Sequence, residues 1–119
     1  MSDNPKEISA MLAWYDRQRS AGTTLGYSGY VEAVRSELAE LGNAVTTSEQ
    51  WKEYGDLMGS VVLLGAELGF RRPLHCLEWS RKKIQKRVGY IQRHANTAPG
   101  EPGYREEFMR LWEQSKEEE

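Results

Sequence analysis

Residues 36–56 read Ser36-Glu37-Leu38-Ala39-Glu40-Leu41-Gly42-Asn43-Ala44-Val45-Thr46-Thr47-Ser48-Glu49-Gln50-Trp51-Lys52-Glu53-Tyr54-Gly55-Asp56. They hold two carboxylate pairs, Glu37 with Glu40 and Glu53 with Asp56, each at i, i+3 spacing. On a helix, residues three apart sit one turn apart on the same side. Two helices meeting here would point four carboxylates at one spot. Clustered negative charges repel, so such a site calls for a cation. All-oxygen ligands favour a hard ion, Mg²⁺ with Mn²⁺ as the alternative, over Zn²⁺.

A single acid pair at this spacing is ordinarily a solvated helix face. The surroundings argue for more. At about 100° per residue, Glu49, Glu53, Asp56, Ser60 and Leu63 share one stripe that runs from acidic into apolar. Beyond it, Leu57-Met58-Gly59-Ser60-Val61-Val62-Leu63-Leu64 is apolar nearly all round, the pattern of a core helix. Glu53 and Asp56 therefore stand at the mouth of a helix expected to be buried, where uncompensated charge is costly.

Working outward, the rest of the chain also reads as helix. Asn4 can cap a first helix, with Pro5 at its first position and Glu7 closing a capping box. Ile8, Met11, Leu12 and Tyr15 form its apolar stripe, with Trp14 off that stripe, and it should fade near Ser20. Residues 20–29, with Gly22, Gly26 and Gly29, read as a loop. A second helix is expected from about Tyr30 to Leu41 or Val45. Val31, Val34, Leu38, Leu41 and Val45 make its core stripe, and Glu37 and Glu40 lie on one flank with Ala33 and Ala44.

Thr47 and Gln50 suggest a capping box for the third helix, which ends near Leu68 with Gly69 as a left-handed stop and Phe70 packing back. Gly55, Gly59 and Gly65 each cost about 1 kcal/mol inside a helix relative to alanine, which close helix packing would offset. Pro73 opens a fourth helix reaching roughly Ala95. It carries Leu74, Leu77, Ile84, Val88 and Ile91, and the basic run Arg81-Lys82-Lys83-Ile84-Gln85-Lys86-Arg87. A basic run is usually a solvated face. Lys83 and Arg87, four apart, can also reach one anion. Residues 96–103, with Pro99, Gly100, Pro102 and Gly103, form a linker. Residues 104–116 form a last helix with Phe108, Leu111 and Trp112 on one side, and Glu117-Glu118-Glu119 an acidic tail.

The 119 residues suit one domain, with a core over about 5–95 and an appended linker and helix over 96–119. A formal net charge of −2 offers no general attraction to nucleic acid or membrane. The single cysteine, Cys76, excludes an internal disulfide and a cysteine metal cage, and fits a reducing, cytoplasmic setting. The polar start lacks a signal-peptide pattern, and the apolar run at 57–64 is too short to span a bilayer. Neither His75 nor His94 has a glutamate three residues before it, which argues against a Glu-x-x-His di-iron bundle.

These residues resemble the MazG-like, all-α nucleoside triphosphate pyrophosphohydrolases. That family's signature is Glu-Glu-x-x-Glu, a spacer, then Glu-x-x-Asp. Here Ser36-Glu37-Leu38-Ala39-Glu40 is followed after twelve residues by Glu53-Tyr54-Gly55-Asp56. The family's next helix ends in Glu-Leu-Gly, matched by Glu67-Leu68-Gly69. Its later Asn-x-Lys-aromatic-x-x-Arg motif is similar to residues 81–87. The resemblance covers roughly residues 28–92.

It implies an antiparallel helical bundle of four to five helices, assembled as a dimer or tetramer, and Mg²⁺-dependent hydrolysis of a nucleoside triphosphate to the monophosphate and pyrophosphate. Glu37, Glu40, Glu53 and Asp56 match its Mg²⁺ ligands, and Lys83 and Arg87 its phosphate-contacting pair. Two positions depart: Ser36 replaces the first glutamate and Arg81 the asparagine. They keep a second reading open, a helical interaction or regulatory protein whose chemistry is weakened or lost. Trp14, Tyr15, Trp51 and Tyr54 are the aromatic candidates for stacking on a base. Nucleic-acid binding through 81–87 is weaker still, since no recognised module accompanies it.

Overall fold

Five helices account for nearly all of the computed structural model, which describes residues 4–117. They are α1 (Lys6–Ser20), α2 (Gly26–Asn43), α3 (Thr47–Glu67), α4 (Pro73–His94) and α5 (Tyr104–Glu117), with no strand among the described residues. Met1 to Asp3 of the polar start, and Glu118 and Glu119 of the acidic tail, lie outside them. No helix is long and apolar enough to cross a membrane among the described residues. The all-α expectation holds. The chain divides into two compact units, Met1–Leu74 and His75–Glu119.

In the first unit, α1 and α2 both pack on α3. The core is Leu12, Tyr15, Tyr30 and Ala66, flanked by Ile8, Leu63 and Leu64. The α1 stripe is as expected from the sequence, with Leu12 and Tyr15 buried and Trp14 44% exposed. Its start differs. Pro5, not Asn4, is the N-cap residue and provides no side-chain cap, whereas Asn4 Nδ2 donates to the Arg71 carbonyl at 2.8 Å. Arg71 in turn makes a two-pronged ion pair with Asp16, at 2.9 and 2.8 Å, which ties α1 to the segment after α3.

The second helix begins four residues earlier than expected, at Gly26. Gly26 (φ 75°) turns the chain into it. Gly29 lies inside the first turns, where Leu25 folds back over it and leaves no room for a side chain: a Cβ there would stand 2.7 Å from the Leu25 Cβ. The inward face of α2 is also shifted. Tyr30 is buried and Val31, Ala33, Val34, Glu37, Leu41 and Ala44 are half-buried, so Val31, Val34 and Leu41 of the expected stripe do turn inward. The expected core residues Leu38 and Val45 are 56% and 84% exposed. Tyr30, a ring with one polar tip, fills the core against Tyr15 at 6.1 Å between centroids and sets this rotation.

The cap of α3 also differs by one residue. Thr46 accepts from the Glu49 amide at 3.1 Å, and the Glu49 carboxylate accepts from the Val45 amide at 3.1 Å. The C-terminus is as expected. Gly69 (φ 88°) donates to Ala66, Phe70 donates to Gly65 at 2.7 Å, and Phe70 packs back over Gly65. Gly59 faces Met11 of α1, but a Cβ on Gly55 would meet nothing within 4 Å, so no close packing within the chain accounts for that glycine. Nor is α3 buried all round. α1 and α2 occupy one side, and Met58, Val61 and Leu68 on the other are about half exposed.

In the second unit, Ile91 and Leu111 are buried. Residues 96–97 are pinned: the Glu107 carboxylate accepts from the Asn96 and Thr97 amides, both at 3.0 Å, and from the Thr97 hydroxyl at 2.6 Å. Phe108 stacks on Trp112 at 6.1 Å.

Candidate functional site

The rotation of α2 that buries Tyr30 carries Glu37 inward two turns later. The Thr46 cap starts α3 so that Glu53 meets α2 from the other side. Glu37, Glu40 and Glu53 each offer one carboxylate oxygen, all within 4.8 Å of one another. Glu40 is exposed, while Glu37 and Glu53 are half-buried. One oxygen of each half-buried acid, Glu37 Oε2 and Glu53 Oε2, is shielded from solvent and has no hydrogen-bond partner. A secluded carboxylate oxygen without a donor is the costly arrangement that a cation or a proton relieves.

Glu53 shows this directly. Loss of solvent raises its carboxyl above the ordinary range, the neighbouring Glu40 carboxyl and the charges of Glu40 and Asp56 add to it, and Lys52 opposes. A proton on Glu53 is thus the alternative to a cation between the helices.

The structure gathers three of the four acids singled out in the sequence. Asp56 lies outside the cluster, exposed one turn beyond Glu53. Its side chain is a methylene shorter and stands further round α3, so it acts on Glu53 through charge. Beside the cluster is a cavity of about 290 Å³ lined by Glu40, Asn43, Ala44, Glu49 and Glu53. The sequence marks Glu49 only as a member of the α3 stripe. The available signal for Glu49 is its place four residues before Glu53 on one helix face.

Trp14 is not among the cavity-lining residues. Tyr15 is 1% exposed, with its hydroxyl donating to Glu67, so it is core and not a stacking surface. The Glu67 contact and burial both raise the Tyr15 phenol above its usual range. Trp51 and Tyr54 are 76% and 56% exposed on α3.

Lys83 and Arg87 lie on α4, in the second unit. Lys83 is exposed. The Arg87 guanidinium sits 5.1 Å over the Trp112 ring, a cation–π contact that orders it. Arg81 pairs with Glu78 at 3.2 Å. Ser36, at the departure from the acidic signature, is exposed on α2.

No protein-family model, no curated protein and no solved structure matches the chain. The site's chemistry therefore rests on its own residues and on the motif resemblance.

Proposed function

We propose that the protein is a Mg²⁺-dependent, MazG-like nucleoside triphosphate pyrophosphohydrolase, acting on deoxynucleotides or non-standard nucleotides and yielding the monophosphate and pyrophosphate. The observation that carries this reading is the pair of secluded, partnerless oxygens on Glu37 and Glu53, within reach of Glu40. These oxygens fit a hard divalent cation in type and charge, and Glu37, Glu40 and Glu53 would hold it, with Asp56 available one turn away. A bound Mg²⁺ supplies Lewis acidity toward phosphoryl oxygens and a more acidic water. By the motif resemblance Lys83 and Arg87 would take the phosphate-contacting role, and the Trp112 ring holds the Arg87 guanidinium in one orientation. The reading includes assembly as a dimer or tetramer in a cytoplasmic setting.

Pyrophosphate release across a panel of nucleotides with Mg²⁺, alongside calorimetric Mg²⁺ titration, tests it. Turnover of at least one nucleotide is expected. Absence of both turnover and Mg²⁺ binding rejects the proposal.

A second reading is a helical interaction or regulatory protein that kept the fold without the chemistry. Ser36 in place of glutamate and Asp56 outside the acid cluster favour it. Mg²⁺ binding without turnover is its signature.

A further inference from the structure

At about 100° per residue, six residues of α4 fall in a sector about 80° wide: His75, Trp79, Lys82, Lys86, Tyr90 and Arg93. Three are aromatic and three cationic, and no aliphatic or acidic residue of α4 shares the sector. The basic run 81–87 is not itself a face, since its members wind most of the way round the helix. Lys83 and Arg87 lie beside the sector, and Arg81, paired with Glu78, lies well outside it. The helix holds six Lys and Arg residues against one acid, Glu78, so its charge is opposite in sign to the chain's formal −2.

The face is open. His75, Lys82, Lys86 and Arg93 are exposed, Trp79 is 60% exposed and Tyr90 is half-buried. Among the described residues none of the three cations is in an ion pair, whereas Arg35, Arg71, Arg81, Arg110 and Lys116 each face an acid. Arg93 reaches back along the helix: one of its guanidinium nitrogens would stand 3.3 Å from a Cβ at Gly89, so this glycine makes room for it nearer Lys86. The cations thus succeed one another about once per turn, roughly every 5 Å. His75 and Trp79 meet edge to face at 6.4 Å between centroids, a contact that uses at most one face of the indole. Tyr90 lies against His94 at 4.3 Å.

We propose that this face binds single-stranded nucleic acid, with the cations following the phosphate backbone and the Trp79 indole stacking on a base. Charge attraction alone accounts for the lysines but not for an exposed indole seated in line with them. A single strand offers both a phosphate row and unstacked base faces, and stacking on an aromatic ring accepts any base. A duplex hides its base faces and meets only the charges. Leu77, Ile84 and Val88 lie on the opposite side of α4, so the face lacks the apolar stripe that a lipid surface or an amphipathic peptide takes. The proposal stands whether or not the acid cluster turns over nucleotides.

The test uses the full chain and a fluorescein-labelled single strand of about 15 nucleotides without terminal phosphates. Anisotropy is read in EDTA, so that the acid cluster takes no part. Wild type is expected to bind, with a log–log salt slope of about −2, three cations at about 0.7 each. Lys86→Gln should reduce the slope by about 0.7, and Arg81→Gln, in the basic run but off the face, should weaken binding less than Lys86→Gln does. Trp79→Ala should weaken binding about tenfold with the slope unchanged. Circular dichroism checks that each variant keeps its helix. Should Trp79→Ala lose it, tryptophan emission gives a second readout: the strand should quench wild type and quench Trp79→Phe less. No binding at about 100 μM protein overturns the proposal. So do wild-type affinity in Trp79→Ala, equal quenching in Trp79→Phe, equal losses in Arg81→Gln and Lys86→Gln, or a duplex or inorganic polyphosphate that competes as well as an unlabelled single strand.

Discussion

Glu37 stands on the inward face of its helix, where Tyr30 and Leu41 also point, and a carboxylate there needs an opposite charge or a proton. Glu53 faces it from α3 in the same condition, its carboxyl already raised by loss of solvent and by Glu40. Glu53→Gln should therefore raise the melting temperature in the absence of metal, by relieving the crowded charge. The same change should lower Mg²⁺-dependent turnover by about a hundredfold or more. Parallel thermal melts and pyrophosphate assays check both halves, and a fall in melting temperature would contradict the crowding argument. Tyr15 and Glu67 supply a second pairing in the same unit. Tyr15→Phe leaves the Glu67 oxygen without its donor and should cost about 1–3 kcal/mol in urea unfolding.

The helices are held at their ends by few groups. Thr46 accepts from the Glu49 amide, and Thr46→Ala should cost about 1 kcal/mol by the same unfolding assay. The α4–α5 linker depends on Glu107. The Thr97 hydroxyl and the Thr97 and Asn96 amides hold its carboxyl below the usual range, with Arg110 assisting. A depressed carboxylate contributes stability that is fully present above its ordinary pKa and is lost as pH falls through the depressed value. Melts taken from neutral to strongly acidic pH should show that loss in wild type, and Glu107→Gln should lack this component. Amide exchange at Asn96 and Thr97 should accelerate in the variant at neutral pH.

For the molecule as a whole, an ion that binds only the folded site stabilises by mass action. Mg²⁺ at a hundred times its dissociation constant should add about 2.7 kcal/mol to unfolding stability. Calorimetry supplies the constant and denaturation the shift, and a shift unchanged by Glu53→Gln would place the ion elsewhere. The apolar sequence of α3 divides between one face packed on α1 and α2 and one left to solvent.

Much was legible from residue order alone: five helices, the left-handed stop at Gly69, the α1 stripe, and the pairing of acids from α2 and α3. Those follow from local rules, since periodicity, glycine conformation and cap chemistry act within a turn or two of the chain. Tertiary packing decided the rest. Seating Tyr30 against Tyr15 rotated α2, which turned Leu38 outward and Glu37 inward. Leu25 folding over Gly29 left room there for no side chain, and shielding by neighbouring helices determined which carboxylate oxygens lost water. Local sequence sets which faces a helix offers, but which face is covered depends on the volume and polarity of partners distant in the chain.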